Sequence, residues 1–360
     1  MIKKQMTSKE RIYKVLSGEA PDRTPILGGW IANPKLLCAV CGVSMDRYRE
    51  DPLLVSVDAY EKLGTDGLFG VFIPKDHDEF RCVDINTYIH AKGQHSFEEA
   101  ADFIDRMPTA DEYERSFDME GEYAAFRDEI MKYQIICGDM VYMPPVWGAG
   151  AKASWYEEFG YENYFLIIGN CPERAAKLME IGGAKGRCLS KVVVRAVREG
   201  IYPPAVFLGE DICTQRGPMI SPEFLEKYYA PQLRYGLEPL LEAGIRPVWH
   251  CDGDVRLLLD MLIDSGIQGF QGFQPECGVS IDLIASKRTK EGNPLLIYGP
   301  LSVTTELPVC TPQEIKEKVR HAIDVCRGNA HLGLFTSNTI NPDIPLENIV
   351  AMYEAVISQD

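Results

Sequence analysis

Short apolar runs recur along the chain, and most of them are followed by a segment whose apolar residues repeat with helical spacing. Strands that alternate with helices are typical of a parallel sheet, and eight such units are the number that closes a (β/α)8 TIM barrel. The pattern therefore predicts an α/β fold of the TIM-barrel type. The predicted strands are Pro25–Trp30, Gly67–Ile73, Gln134–Cys137, Ala205–Gly209, Pro247–His250, Gly269–Phe273, Leu295–Tyr298 and Leu332–Phe335.

Start and stop signals for helices are clearest in the second half of the chain. Ser221 and Thr311 are each followed by a proline and by an acidic residue in the first turn, which is typical of a capped helix start. Gly244 is placed to end the first of these helices, and Pro345 opens the final one. We expect these helices to lie on the outside of the barrel.

Residues from about 76 to 133 depart from this alternation, since they are polar, acidic and rich in Phe, Tyr and Met. A stretch of this length is too long for an ordinary loop. We expect an insertion in the N-terminal half that carries a small hairpin near Arg81–His90 and then two helices. No repeat divides the sequence, so residues 1–360 are predicted to form a single barrel domain with this insertion.

Composition and charge narrow the class of protein. The chain has 360 residues, and no apolar run approaches the roughly 20 residues that span a bilayer, so we expect no membrane segment. The first residues lack the apolar stretch of a secretory signal, and the 11 cysteines are scattered, which together predict a cytoplasmic protein with reduced thiols. The net charge of −16 would repel a polyanion, so nucleic acid is not an expected partner.

Polar and aromatic side chains follow several predicted strands, which is where α/β barrels carry their active sites. His250 is the one histidine of six at such a strand end, although a purely structural role there is the alternative. Asp252 points to the same side of an extended segment as His250, whereas Cys251 points to the other side. The further candidates are Trp30, Asn33, Glu210, Asp211, Phe273, Gln274, Glu276 and Asn338.

His250 and Asp252 are also candidate metal ligands. A catalytic zinc ion takes three protein ligands and keeps one open position. A third ligand would have to come from Glu210, Asp211, Glu276 or Asn338.

Glu210 and Asp211 are adjacent carboxylates. Their mutual repulsion is expected to raise the pKa of one of them, and a carboxyl group adjusted in this way can serve as a general acid. The alternative is that Asp211 caps the next segment while Glu210 faces solvent.

Seven segments follow one another in a fixed order along the chain: Glu10–Pro25, Gly209–Ile212, Gln215–Pro218, Ile220–Glu223, His250–Gly253, Gln274–Cys277 and Pro342–Ile349. In this order they resemble the uroporphyrinogen decarboxylase superfamily. The resemblance covers most of the chain and implies the same α/β barrel.

The superfamily has two branches with different requirements. Its decarboxylases carry an arginine-rich segment after the first strand that binds the substrate's carboxylates, but here residues 28–34 contain neither Arg nor Lys. The other branch contains methyltransferases that exchange a methyl group between a substrate and the cobalt of a corrinoid protein. Thiol-methylating members hold zinc with one His and two Cys, at positions that correspond to His250, Asp252 and Asn338, so only the histidine is retained.

The resemblance thus implies a corrinoid-dependent methyltransferase with a corrinoid protein as its partner. The expected methyl donor is a small methylated compound of the methoxyaromatic or methylamine type, because the acidic groups can stabilise a leaving oxygen or nitrogen. The alternatives are a decarboxylase of the uroporphyrinogen type and a binding or accessory barrel that has lost the chemistry. A homo-oligomer is compatible with the sequence.

Each candidate residue has an expected role. The expected catalytic residues are His250, Asp252, Glu210 and Asp211, and the expected zinc ligands are His250, Asp252, Glu210 and Glu276. The expected substrate-binding residues are Trp30, Asn33, Phe273, Gln274 and Asn338.

Overall fold

The computed structural model describes residues 5–73 and 96–357. Within these ranges the protein is a mixed α/β structure in which helices connect short parallel strands. The strands are β1 (Leu27–Gly28), β2 (Gly67–Leu68), β3 (Val141–Tyr142), β4 (Ala205–Gly209), β5 (Cys213–Thr214), β6 (Gly217–Pro218), β7 (Arg246–His250), β8 (Gly269–Gln271), β9 (Leu296–Leu301) and β10 (His331–Thr336).

Helices of very different length connect and flank these strands. The α-helices are Ser8–Leu16, Pro34–Cys41, Met45–Glu50, Pro52–Lys62, Phe97–Arg106, Ala110–Ser116, Met119–Cys137, Tyr156–Phe159, Tyr161–Asn170, Pro172–Arg198, Pro222–Phe224, Ala230–Glu242, Leu259–Asp264, Ile281–Ser286, Pro312–Cys326 and Leu346–Ile357. A π-helical turn, Leu225–Tyr229, and a 3₁₀ turn, Pro275–Cys277, complete the set. No helix in the described ranges is both long and apolar enough to cross a membrane.

Two parallel sheets form the centre of the molecule. One has the order β1-β2-β3 and the other the order β10-β9-β8-β7-β4, while β5 and β6 form a separate antiparallel pair. The two parallel sheets approach each other on both sides. The amide of Leu334 donates to the carbonyl of Pro25 at 2.9 Å, and the amide of Val146 donates to the carbonyl of Phe207 at 2.8 Å. This arrangement is compatible with the predicted (β/α)8 barrel.

Seven of the eight predicted strands overlap observed strands, and the prediction for Gln134–Cys137 is wrong. These four residues form the last turn of the helix Met119–Cys137, and the strand begins at Val141. A short apolar run has no period that distinguishes a strand from a helix end. Ile135 is 81% exposed, so this run is not the buried strand that its composition suggested.

The part of the inserted region that the structure describes, from residue 96 onward, contains three helices, where two were predicted for the insertion. Ser96 and Thr109 each accept a hydrogen bond from the backbone of a glutamate three residues later, and that glutamate bonds back, so both helices begin with a capping box. The capping box at Thr109 starts the short additional helix Ala110–Ser116. The predicted hairpin near Arg81–His90 lies outside the described residues.

A long helix, Pro172–Arg198, packs against Ala230–Glu242 and supports the loop that follows β3. Glycines permit this close contact. A Cβ atom at Gly186 would lie 2.1 Å from the carbonyl oxygen of Gly150, and one at Gly236 would lie 1.4 Å from the same oxygen. The loop therefore packs tightly between the two helices. This packing holds the backbone of a loop whose residues line the cavity beside His250.

Candidate active site

His250 ends β7 in a row of residues that pair across three neighbouring strands. Its register partners are Gly209 at the end of β4 and Gln271 at the end of β8. Parallel strands present their carboxyl ends at one edge, which is why residues distant in the sequence meet here. His250 itself is buried.

Gln271 determines the orientation of the His250 ring. The side-chain amide nitrogen of Gln271 donates to the carbonyl oxygens of Thr336 and Ser337 at 2.8 and 3.0 Å. Because carbonyl oxygens only accept, the Gln271 amide oxygen must face the imidazole, where it contacts Nδ1. In the neutral ring Nδ1 therefore carries the hydrogen, and the lone pair of Nε2 is left available.

Asp211 and Asp252 lie beside that free nitrogen. His250 Nε2 is 3.5 Å from Asp211 Oδ1, and the possible ligand atoms of His250, Asp211 and Asp252 all lie within 4.8 Å of one another. The backbone amide of Asp252 donates to Asp211 Oδ1 at 3.2 Å. The structure thus brings His250 and Asp252 together and adds Asp211 as the third member.

The two oxygens of Asp252 are in different situations. Asn338 donates its side-chain amide to Oδ2 at 2.5 Å, whereas Oδ1 is buried and has no hydrogen-bond partner in the described structure. Burial raises the pKa of Asp252, and the nearby Asp211 carboxylate adds to this effect while His250 opposes it. A buried carboxylate oxygen without a donor is costly unless it binds a proton or a cation.

This group of side chains fits a divalent metal. One imidazole nitrogen and two carboxylates are acceptable zinc ligands, and three protein ligands leave a coordination position open. The Nδ1 contact with Gln271 is the kind of outer hydrogen bond that orients a metal-binding histidine.

Glu210, adjacent in sequence to Asp211, is held very differently. Its carboxylate accepts hydrogen bonds from the amides of Ala153 and Ser154, from the Ser154 hydroxyl and from the Tyr229 hydroxyl, at 2.7 to 2.9 Å. Burial raises its pKa, and these donors oppose the rise. A raised pKa for one of the two adjacent carboxylates agrees with the prediction from the sequence. The cause, however, is the burial of Glu210 and not repulsion by Asp211. Glu210 is buried and the side chain of Asp211 is 55% exposed, which is the reverse of the alternative considered above.

The remaining candidate residues are spread around this group. Asn33 caps the helix Pro34–Cys41, and Gln274 accepts a hydrogen bond from the amide of Gly253 at 2.7 Å. Glu276 accepts hydrogen bonds from Ser302 and Thr305, both at 3.2 Å, and is not a member of the group around His250. Phe273 packs against the backbone at Gly299.

A cavity of about 600 Å³ opens beside the imidazole. Its wall includes Trp30 and Trp147, whose ring centroids lie 6.2 and 5.6 Å from that of His250. Trp147 is 45% exposed, and so it presents an apolar surface to the cavity. The volume and the mixture of aromatic and polar walls suit a small molecule.

Two features of the site had no signal in the sequence analysis. Gln271 lies inside the apolar run Gly269–Phe273, where nothing in the sequence marks it as a functional residue, although the register of β7 and β8 pairs it with His250. The cavity also has two lysines, Lys152 and Lys185, which come from the loop after β3 and from the long helix. The segment after β1 supplies no cation, as expected from its sequence.

The sequence matches no protein family model and no curated protein. In structure, the chain is similar to a methyltransferase from Methanosarcina mazei, with a TM-score of 0.63 and 15% sequence identity over 98% of each chain. The likeness shows that the two chains share a fold.

Proposed function

We propose that this protein is a corrinoid-dependent methyltransferase that moves a methyl group from a small methylated compound to the cobalt of a corrinoid protein. The observation that carries the proposal is the group of His250, Asp211 and Asp252 beside an aromatic-walled cavity. The shared fold with a methyltransferase and the resemblance of the sequence motifs support it. We further infer that the two parallel sheets form one closed (β/α)8 barrel with this group at its mouth.

The chemistry requires stabilisation of the group that leaves. The electron pair of reduced cobalt forms a bond to the methyl carbon, while the carbon–oxygen or carbon–nitrogen bond breaks and its electron pair stays on the oxygen or nitrogen. That atom must be neutralised as it leaves, by a proton or by a Lewis acid.

Asp252 is suited to hold the proton. Its raised pKa favours the neutral carboxyl group, and Oδ2 already accepts a hydrogen bond from Asn338, so the proton belongs on Oδ1. His250 Nε2 lies in the same group, and its ring is oriented by Gln271. Trp30 and Trp147 exclude water from one side of the cavity and provide a surface for the apolar part of the substrate.

Asp211, His250 and Asp252 would also be the ligands of a zinc ion. Zinc held there supplies a Lewis acid, which is the second way to stabilise a leaving oxygen or nitrogen. We expect the purified protein to bind zinc, and the variant His250→Ala to lose it. His321→Ala is the matched control, because His321 is exposed and its partner among the described residues is Asp282 at 3.1 Å, far from the group of His250.

The direct test is incubation with reduced cobalamin and a panel of methoxyaromatics, methylamines and methylthiols, with methylation of cobalt followed by its absorption spectrum. A donor that works should react about 1,000-fold more slowly with His250→Ala, a loss of about 4 kcal/mol in transition-state stabilisation. The variant His321→Ala should react like the wild type. If no donor methylates cobalt, the proposed function is wrong.

A further inference from the structure

One stripe of the long helix Pro172–Arg198 faces the loop after β3. Residues three and four apart lie on the same side of a helix, so Gly182, Lys185, Gly186 and Leu189 form this stripe. A Cβ atom at Gly182 would lie 2.3 Å from the carbonyl oxygen of Lys152, so the backbones of the helix and the loop are in direct contact. Lys185 is therefore directed at the loop and the cavity and not at open solvent.

The end of the Lys185 side chain lies next to the aromatic wall. Its Cε atom is 3.9 Å from the position of a Cβ atom on Gly148, the residue after Trp147, and Lys185 lines the same cavity as His250. Trp147 in turn lies beside the imidazole, with ring centroids 5.6 Å apart. Trp147 and Gly148 thus connect the imidazole with the lysine along one wall of the cavity.

The charge of Lys185 is not balanced within the part of the chain that the structure describes. The other lysine of the cavity, Lys152, pairs with Glu158 at 2.8 Å and lies over the ring of Trp155 at 5.3 Å. Lys185 has no such partner among the described carboxylates. Glu157 lines the cavity as well, but it is exposed to solvent and forms no ion pair with Lys185.

We propose that Lys185 binds an acidic group of the substrate, so that the site takes a methylated carboxylic acid. The inference that the acid is methylated rests on the proposed function. The carboxylate is held by Lys185, the apolar body of the molecule packs on Trp147, and the methylated oxygen or nitrogen reaches His250 and Asp252. A flat ring bearing both a methoxy and a carboxyl group has this shape, and a lysine holds its carboxylate as a point charge.

The test compares two probes that differ only in charge, 3-methoxybenzoate and 3-methoxybenzamide. Binding is followed through quenching of tryptophan fluorescence, since Trp30 and Trp147 line the cavity. The acid should bind the wild type about tenfold more tightly than the amide, as expected for one charge-assisted contact. In Lys185→Met this preference should disappear, while Lys191→Met should keep it, because Lys191 lies on the same helix but faces Glu114 at 3.6 Å.

Three results would overturn the inference: equal binding of acid and amide by the wild type, an acid preference that survives in Lys185→Met, or no binding of either probe. Circular dichroism of both lysine variants ensures that a loss of binding is not a loss of fold. The assay needs no reduced cobalamin. An acid preference that depends on Lys185 without any methylation of cobalt would contradict the proposed function alone, and methylation by uncharged donors without an acid preference would contradict this inference alone.

Discussion

The two sides of the candidate active site hold a carboxyl group in opposite ways. On the side of the β3 loop, Glu210 accepts hydrogen bonds from two backbone amides and two hydroxyls. On the side of β7, Asp252 has one donor, Asn338, and leaves Oδ1 buried without a partner. Burial raises the pKa of both groups.

The difference separates a structural carboxylate from a reactive one. A raised pKa by itself does not identify the reactive group, because burial raises it on both sides. The number of hydrogen-bond donors does identify the reactive group. A carboxylate whose lone pairs are all occupied by donors cannot also bind a metal or exchange a proton with a substrate. Glu210 ties the β3 loop to β4 and to the π-helical turn that ends at Tyr229, whereas Asp252 keeps an oxygen free.

The largest expected effect on stability is at Glu210, the structural carboxylate on the side of the β3 loop. Glu210→Ala leaves two amides and two hydroxyls without their acceptor, and we expect it to lower the free energy of unfolding by about 3 kcal/mol. Chemical denaturation measures this loss. Ser154→Ala removes one donor and should cost about 1 kcal/mol.

Glu157→Ala is the matched control, because this carboxylate lines the same cavity but is exposed. Its free energy of unfolding should stay within about 0.5 kcal/mol of the wild type. Equal stability of Glu210→Ala and Glu157→Ala would show that Glu210 is not the anchor of the loop.

An intermediate effect, on zinc affinity, is expected at Gln271, which orients the His250 ring on the side of β7. Gln271→Ala removes the acceptor for Nδ1–H and frees the ring, and it should weaken zinc binding about tenfold, as for other outer hydrogen-bond partners of metal-binding histidines. Competition with a chelating dye measures the affinity. Gln313→Ala is the control, because Gln313 is exposed and bonds Glu317 at 2.8 Å outside the site, and equal zinc affinity in both variants would contradict the role of Gln271.

The fold was predictable where the sheet is regular. In the second half, β4 and β7 coincide with the predicted strands to within one residue, because buried strands of five residues have apolar runs bounded by glycine or proline. In the first half, β1, β2 and β3 have two residues each. Strands this short leave almost no hydrophobic pattern in the sequence. The third strand was therefore predicted at Gln134–Cys137, which is the end of a helix, instead of at Val141–Tyr142.

The candidate site was predictable only in part, for a related reason. His250 and Asp252 are close in sequence, so alternation along one strand was enough to pair them. Gln271 and Lys185 reach the site through strand register and helix packing. Three of the four hydrogen-bond donors to Glu210 come from Ala153 and Ser154, more than 50 residues earlier in the sequence. No local sequence pattern therefore distinguishes Glu210 from Asp211.

The smallest expected effect is the contribution of Asp252 to the pH dependence of the free energy of unfolding. Because the fold raises the pKa of Asp252, the folded protein binds this proton more tightly than the unfolded chain does. The resulting stability is fully present below the unfolded pKa of about 3.9 and is lost as the pH rises through the folded pKa. An asparagine at this position stays neutral throughout, so the stability of Asp252→Asn relative to the wild type should increase as the pH rises through that window. The opposing charge of His250 keeps the change small.

Asp254 provides a control of opposite sign. The hydrogen bond from Arg256 lowers the pKa of Asp254, so its stabilising contribution is present above the unfolded pKa and is lost as the pH falls. The stability of Asp254→Asn relative to the wild type should therefore decrease as the pH rises. Urea denaturation of the wild type and both variants at several pH values, after removal of bound metal with a chelator, measures the two slopes. Slopes of the same sign would mean that Asp252 is not held neutral by burial, and the assignment of Asp252 as the group that holds the proton would then lose its basis.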